Sequence, residues 1–124
     1  MIFRTRKLIM PADLNGAGTL FGGACLKFVD EEAAIYTICQ LGTHRIVTVG
    51  ISAINFTSPA YQNNIIEIGC SVVRFGRTSI TLKVVVRNKD TKKDILVVEE
   101  MTFVALGEDG KPTPNGKTQS TDIE

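Results

Sequence analysis

Hydrophobic and polar residues repeat with two different periods along this chain of 124 residues. From Gly22 to Leu41 the apolar positions have the period of an α-helix, and Gly42 suits the residue that follows a helix end. The other apolar stretches are shorter and rich in β-branched residues, which is typical of strands. These stretches predict strands at 2–10, 45–56, 65–75, 78–87 and 95–106.

The order β-α-β-β-β-β predicts an α+β fold in which one long helix packs against a meander of antiparallel strands. The length fits a single domain with one core. We expect this domain to span residues 1–107, and the polar stretch 108–124, with its glycines and prolines, to be a flexible C-terminal tail. An open sheet has two unpaired edges, so self-association is expected as well.

The predicted helix is apolar over most of its circumference, and Lys27 and Glu31 form its only charged strip. A helix of this kind must be enclosed by something other than water. The side opposite Asp30 carries Phe28, Ile35 and Cys39. The residues that share the direction of Asp30 are small or apolar: Gly23, Leu26, Ala33, Ala34, Thr37 and Leu41.

Asp30 is therefore a carboxylate among apolar neighbours, and desolvation would raise its pKa unless a partner or water relieved it. Such an acid is a candidate base or nucleophile. Two structural interpretations stay open: Asp30 pairs with Lys27, or it faces solvent because the helix has a different phase.

The segment before the helix holds two further candidates. Asn15 can hydrogen-bond a water or a carbonyl, although an Asn before a Gly is more often a turn residue or a cap. Gly22 and Gly23 open the helix, where unpaired N–H groups at the positive end of the dipole could bind an oxyanion. The same glycines could equally serve only to allow close packing.

The segment Gly76-Arg77-Thr78-Ser79, with Arg74 just before it, joins two predicted strands. Arginine and hydroxyl side chains beside backbone N–H groups can bind phosphate. Because the same residue types are common in ordinary hairpins, the residues alone favour a hairpin.

Composition excludes several classes of protein. The net charge is +1 with acids and bases interspersed, so we expect no nucleic acid as a partner. No apolar stretch is long enough to span a bilayer, so we expect no membrane as a partner either. The three cysteines form no close metal-type pair, and His44 is the only histidine, so no metal site is expected. No nucleophile elbow surrounds any serine, which argues against serine esterase chemistry. The N-terminus lacks a signal-peptide pattern, so we expect free thiols and a cytoplasmic location.

Several short motifs together resemble one family, and their order and spacing are more specific than any one of them. They are Met10-Pro11-Ala12-Asp13 with Asn15, Gly18-Thr19-Leu20-Phe21-Gly22-Gly23, Val29-Asp30, Val47-Thr48-Val49, Ile54-Asn55-Phe56 with Pro59, Gly76-Arg77-Thr78-Ser79, Phe103-Val104-Ala105 and Gly110-Lys111-Pro112. Over about Leu8 to Pro114, the chain is similar to the hotdog-fold acyl-CoA thioesterases of the cytosolic acyl-CoA hydrolase type.

The resemblance implies a helix wrapped by an antiparallel sheet of five to six strands, and dimers that commonly form a trimer of dimers. It implies hydrolysis of acyl-CoA to a fatty acid and coenzyme A, with no cofactor because coenzyme A is part of the substrate. The family's active-site Asn falls on Asn15 and its catalytic Asp on Asp30, from opposite subunits. The N–H of Gly23 would polarise the thioester carbonyl.

The family's coenzyme A-contacting turn falls on Gly76, Arg77, Thr78 and Ser79, and the phosphates of coenzyme A would bind Arg77 and Arg74. The chain departs from the family by having Asn63-Asn64 where Gly-Asp is usual, and by the acidic pair Glu31-Glu32.

Two other functions follow from related folds. A non-catalytic module would bind acyl-CoA without turnover, but the chain keeps both Asn15 and Asp30. A hotdog hydratase would need a histidine near the helix start, and His44 lies at the other end.

Overall fold

The computed structural model describes residues 1–122 and contains one long helix packed against a five-stranded antiparallel sheet. The predicted α+β class is confirmed, and so are the bounds of the helix. Each strand lies within two residues of its predicted position. The elements are β1 (Ile2–Leu8), α1 (Gly22–Leu41), β2 (Ile46–Phe56), β3 (Ile65–Phe75), β4 (Ser79–Asn88) and β5 (Asp94–Ala105).

The strands lie in the order β1-β3-β4-β5-β2, and every neighbouring pair is antiparallel. The chain therefore leaves one edge of the sheet after β1, forms α1, and enters the opposite edge as β2. Thr48 pairs with Phe103, which pairs with Ile80. As a result, the two strands that flank α1 in sequence are the two edges of the sheet.

The core lies between α1 and one face of the sheet. Alternation along β4 predicts that Ile80, Leu82, Val84 and Val86 share a face, and all four are fully buried there. From the helix, Cys25, Val29 and Ala33 pack on the same core.

The opposite side of α1 is exposed, so the expectation of a helix enclosed on all sides is wrong for the single chain. Ile35 and Cys39 are exposed, and Asp30, on the flank of the helix that faces β2, is exposed as well. Because Ile35 and Cys39 are apolar, the sequence pattern does not distinguish the outer side from the inner one. The inner side also holds a polar residue, Glu32, which accepts a hydrogen bond from Thr5 of β1.

Residues 106–122 continue from β5 across the end of the fold. Thr113 N donates to Ala105 O over 2.9 Å, and Thr121 N donates to the Gln40 side-chain oxygen over 3.0 Å. The carboxylate of Asp122 accepts hydrogen bonds from Tyr36 and Arg4. The flexibility of 108–124 and the boundary at residue 107 stay predictions, and residues 123–124 lie outside the described part.

In the loop between β2 and β3, Asn63 occupies the position at which the resemblance implies a glycine. Asn63 has a φ of 69°, a left-handed conformation that Asn tolerates better than most residues. Its N–H donates to Ile9 O, and the Asn64 side-chain oxygen accepts from Tyr61 N. The unusual Asn-Asn pair therefore still closes this loop onto the segment after β1.

Candidate active site

The start of α1 carries unpaired backbone donors. Phe21 occupies the N-cap position without a side-chain cap, and the first N–H bonded there is that of Cys25, to Phe21 O over 3.0 Å. The N–H groups of Gly22 and Gly23 therefore have no acceptor within residues 1–122. They lie at the positive end of the helix dipole, where a developing negative charge is stabilised.

The two glycines also allow close packing, so both interpretations of them fit the structure. A Cβ on Gly22 would lie 3.2 Å from the Phe56 ring, and a Cβ on Gly23 would lie 3.0 Å from the Phe21 ring. A side chain at either position would require the neighbouring aromatic ring to shift by a few tenths of an ångström.

Asn15 organises the loop that leads into the helix. Its side-chain oxygen accepts from Ala17 N over 3.0 Å and from Thr19 N over 3.1 Å, and its amide nitrogen donates to Thr19 Oγ1 over 2.9 Å. This is the turn role that the residue type favours. An amide nitrogen carries two N–H groups, and the second has no acceptor among the described residues, so exposed Asn15 can still bind another group.

Asp30 is exposed, and Thr48 is its partner. The Thr48 hydroxyl donates to Asp30 Oδ1 over 3.0 Å. Lys27, the alternative partner, is instead 3.9 Å from Glu31. The sequence analysis assigned no role to Thr48. A polar residue between Val47 and Val49 on a strand nevertheless indicates that Thr48 points to the opposite face of the sheet from these two valines.

Gly23 and Asp30 lie on one face of the helix. They are separated by nearly two full turns, so they are about 10 Å apart along the axis. No hydrogen bond within residues 1–122 joins Asn15, Gly23 or Asp30 to one another. One chain therefore places the three predicted catalytic residues around an open helix face without closing a site.

Glu32 points away from this face. It contacts Thr5 on β1, whereas Asp30 contacts Thr48 on β2, at the opposite edge of the sheet. Of the acidic pair Glu31-Glu32, the second residue therefore joins α1 to β1 and does not face the candidate site.

A pocket of about 320 Å³ lies beside the helix start. Burial raises the pKa of the Cys25 thiol to about 12, so the thiol is protonated at neutral pH and is no nucleophile. The pocket is lined by Leu20, Cys25, Phe56, Thr57, Ser58, Pro59, Ala60 and Ile95. Its mainly apolar lining is typical of a site for an apolar ligand group.

The predicted coenzyme A-binding residues lie in the hairpin between β3 and β4. Gly76 N donates to Ser79 O over 2.9 Å, and a Cβ on Gly76 would come within 2.2 Å of Ser79 Oγ, so a side chain there would force Ser79 to move. Arg77 is exposed. Arg74 instead pairs with Glu100 through two hydrogen bonds of 2.7 and 3.3 Å, which raise the pKa of Arg74 and lower that of Glu100.

The edge strand β2 exposes a row of large apolar side chains. Val49 is 57% and Phe56 58% exposed, and Val47, Ile51 and Ile54 are exposed too. Exposed edges are normally protected by charges, prolines or covering segments. Because β2 has no Lys, Arg or Pro along its eleven residues, it has the character of a surface that another chain covers.

Within residues 1–122, no group of three or more His, Cys, Asp or Glu side chains is placed to hold a metal ion. The described part of the chain also contains no helix with the length and apolar character needed to cross a bilayer. Its cysteines are all free.

Comparison with known proteins gives a consistent result. The family model of the thioesterase superfamily matches residues 17–95. The acyl-CoA thioester hydrolase YciA of Salmonella typhimurium is 30% identical over 115 residues, which cover 88% of this chain and 86% of that protein.

Solved structures agree on the fold. The hexameric hotdog fold thioesterase of Campylobacter jejuni superposes with a TM-score of 0.77 at 29% identity, covering 89% of this chain and 86% of that one. The acyl-CoA hydrolase of Staphylococcus aureus, solved with butyryl coenzyme A and coenzyme A, gives 0.80 at 29% identity, covering 89% of this chain and 66% of that one. The fold is thus the hotdog fold, and the chain belongs to the thioesterase superfamily.

Proposed function

We propose that this protein hydrolyses acyl-CoA thioesters to a free fatty acid and coenzyme A. The chain belongs to the thioesterase superfamily, and the observation that supports the proposal is the arrangement of Asp30 and Gly23 on α1. A carboxylate, Asp30, is exposed and held by Thr48 on the helix face that begins with the unpaired N–H of Gly23. A water attacks the thioester carbonyl, the carbon–sulfur bond breaks, and the sulfur leaves with a proton as the thiol.

Each residue has a role that follows from its chemistry. The N–H of Gly23 stabilises the oxyanion that forms on the carbonyl oxygen. Asp30 activates the water or attacks the carbonyl itself. The hydrogen bond from Thr48 fixes one oxygen of Asp30 and leaves the other for the substrate. The second N–H of Asn15 positions the water or the carbonyl.

The proposed site is shared between two chains, with Asn15 from one and Asp30 from the other. The apolar, exposed edge strand β2 supports self-association, because pairing two such edges would cover it. The hexameric state of the C. jejuni relative is consistent with a trimer of such dimers.

Coenzyme A would contact the turn Gly76–Ser79. Within this turn the guanidinium of Arg77 is exposed, and a phosphate group of coenzyme A is a suitable anion for it. Arg74 can contribute only if a phosphate competes with Glu100 for its guanidinium. The absence of a cofactor and the cytoplasmic location stay predictions from the sequence.

A thiol-release assay with a panel of acyl-CoA thioesters tests the proposal. We expect the wild type to turn over acyl-CoA, Asp30→Ala to lose most of its kcat, and Glu31→Ala, which removes the adjacent exposed acid, to keep it. Loss of activity in a folded Asn15→Ala variant would support its role. Binding of acyl-CoA by the wild type without turnover would contradict the proposal and indicate a binding module instead.

A further inference from the structure

All four carbonyl oxygens of the turn Gly76–Ser79 accept hydrogen bonds from the last residue of β5 or from the segment after it. Asn115 Nδ2 donates to Ser79 O over 2.9 Å and to Gly76 O over 3.3 Å. The backbone N–H of Asn115 donates to Arg77 O over 3.0 Å, and Ala105 N donates to Thr78 O over 2.9 Å. One residue, Asn115, therefore holds three of the four carbonyls.

The donors of the same turn are free. Within residues 1–122, the backbone N–H groups of Arg77 and Thr78 have no acceptor, and the exposed guanidinium of Arg77 has no ion-pair partner. Backbone N–H groups and a guanidinium together favour an anion, whereas free carbonyl oxygens would repel one. With its carbonyls occupied, the turn presents donors only.

The amide of Asn115 is itself fixed in orientation. Lys117 N donates to Asn115 Oδ1 over 2.9 Å, so the nitrogen end of the side chain is the end that meets the turn. Asn115 could not satisfy the turn carbonyls in the reverse orientation, because its oxygen has no hydrogen to donate.

We propose that Asn115 is a positioning residue for recognition of the nucleotide end of coenzyme A. By occupying the carbonyls of Gly76, Arg77 and Ser79, it turns the free N–H groups of the hairpin towards the phosphates. This inference rests on the proposed function. It goes beyond it by adding to the binding site a residue from the segment after β5, which the sequence assigned to a flexible tail.

Kinetics with two thioesters of the same acyl group test this role. One is the acyl-CoA, and the other is the acyl-N-acetylcysteamine thioester, which lacks the nucleotide. For Asn115→Ala we expect KM for acyl-CoA to rise about fivefold or more, from the loss of hydrogen bonds that hold the turn. The kcat for acyl-CoA and the kcat/KM for the short thioester should stay near the wild-type values.

Two further variants separate positioning from simple destabilisation. Gln119→Ala removes an exposed carboxamide from the same segment and should leave both substrates unaffected. Asn115→Gln keeps the donor and should recover part of the affinity for acyl-CoA. Equal changes with the two thioesters, or an unchanged KM for acyl-CoA in Asn115→Ala, would overturn the inference.

If Asn115→Ala does not fold, amide hydrogen exchange on the wild type tests whether the free N–H groups of the turn bind coenzyme A. We expect the amides of Arg77 and Thr78 to exchange rapidly in the free protein and to become protected when coenzyme A is added. Unchanged exchange at both amides in protein saturated with coenzyme A would overturn the inference. This measurement needs no turnover, so an inactive wild type would contradict the proposed function while leaving the nucleotide site to be judged separately.

Discussion

Replacing Thr48 by Val tests whether the Asp30 carboxylate must be held in place. The change substitutes a methyl group for the hydroxyl that donates to Asp30 Oδ1 over 3.0 Å. Both residues are β-branched and suit strand β2, so the backbone should be unaffected. The variant thus removes one hydrogen bond and little else.

The size of the effect follows from that hydrogen bond. A hydrogen bond to a charged group contributes about 1.5–3 kcal/mol. If it holds Asp30 in its reactive orientation, its loss raises the barrier by about this amount, which lowers kcat about 10- to 150-fold. Because Thr48 does not touch the turn proposed to bind the nucleotide, KM should change much less than kcat.

The assay is thiol release from one acyl-CoA under saturating conditions, with thermal unfolding measured in parallel. Thr48→Ser restores a hydroxyl at the same position and is the matched control, with kcat expected within a few-fold of the wild type. A Thr48→Val enzyme with wild-type kcat would show that Asp30 acts without this contact.

Three other changes have defined outcomes. Burial alone would raise the pKa of Glu67, but hydrogen bonds from Lys92 and Arg87 hold it below its usual value of 4.5. Its stabilising contribution is therefore complete above pH 4.5 and is lost as the pH falls through the lowered pKa. Acid unfolding curves should show a smaller pH dependence for Glu67→Gln than for the wild type, and identical slopes would be evidence against this. Val49→Lys places a charge on the apolar β2 edge and should lower the oligomeric mass measured by native mass spectrometry; an unchanged mass would exclude this edge from the interface. Arg77→Ala should raise KM for acyl-CoA about tenfold through loss of a charged hydrogen bond to phosphate, and an unchanged KM would remove Arg77 from the site.

The sequence predicts the elements of this fold well because each has a strong local signal. The helix from Gly22 to Leu41 has helical periodicity and a glycine after its end, and Gly42 does adopt the left-handed conformation. The strands are rich in β-branched residues and are separated by turn residues. These signals depend on near neighbours in the chain, so one sequence is sufficient to read them.

The orientation of the helix was not predictable in the same way. Ile35 and Cys39 are exposed in the single chain, yet by residue type they resemble core positions. The buried centre of an interface between identical chains is also rich in apolar residues, so periodicity places Asp30 among apolar residues without indicating which side of the helix faces the sheet.

The partners of the candidate site residues also lie beyond local reasoning. Thr48 is far from Asp30 in sequence, and Asn115 meets the turn at Gly76 only because the segment after β5 returns to the hairpin between β3 and β4. The pairing of Arg74 with Glu100 depends in the same way on how the strands align. The residue types in the sequence indicate which residues are candidates for the site. The contacts that define the roles of these residues form only in the folded chain.

Subunit complementation measures whether Asn15 and Asp30 act together from different chains. Asn15→Ala and Asp30→Ala are each expected to be nearly inactive as pure proteins. When the two are co-expressed, half of the randomly formed dimers contain one chain of each kind, and each such dimer has one intact site. We therefore predict recovery of about a quarter of the wild-type thiol release. If each pure variant is nearly inactive and the mixed oligomers show no recovered activity, the shared site is contradicted.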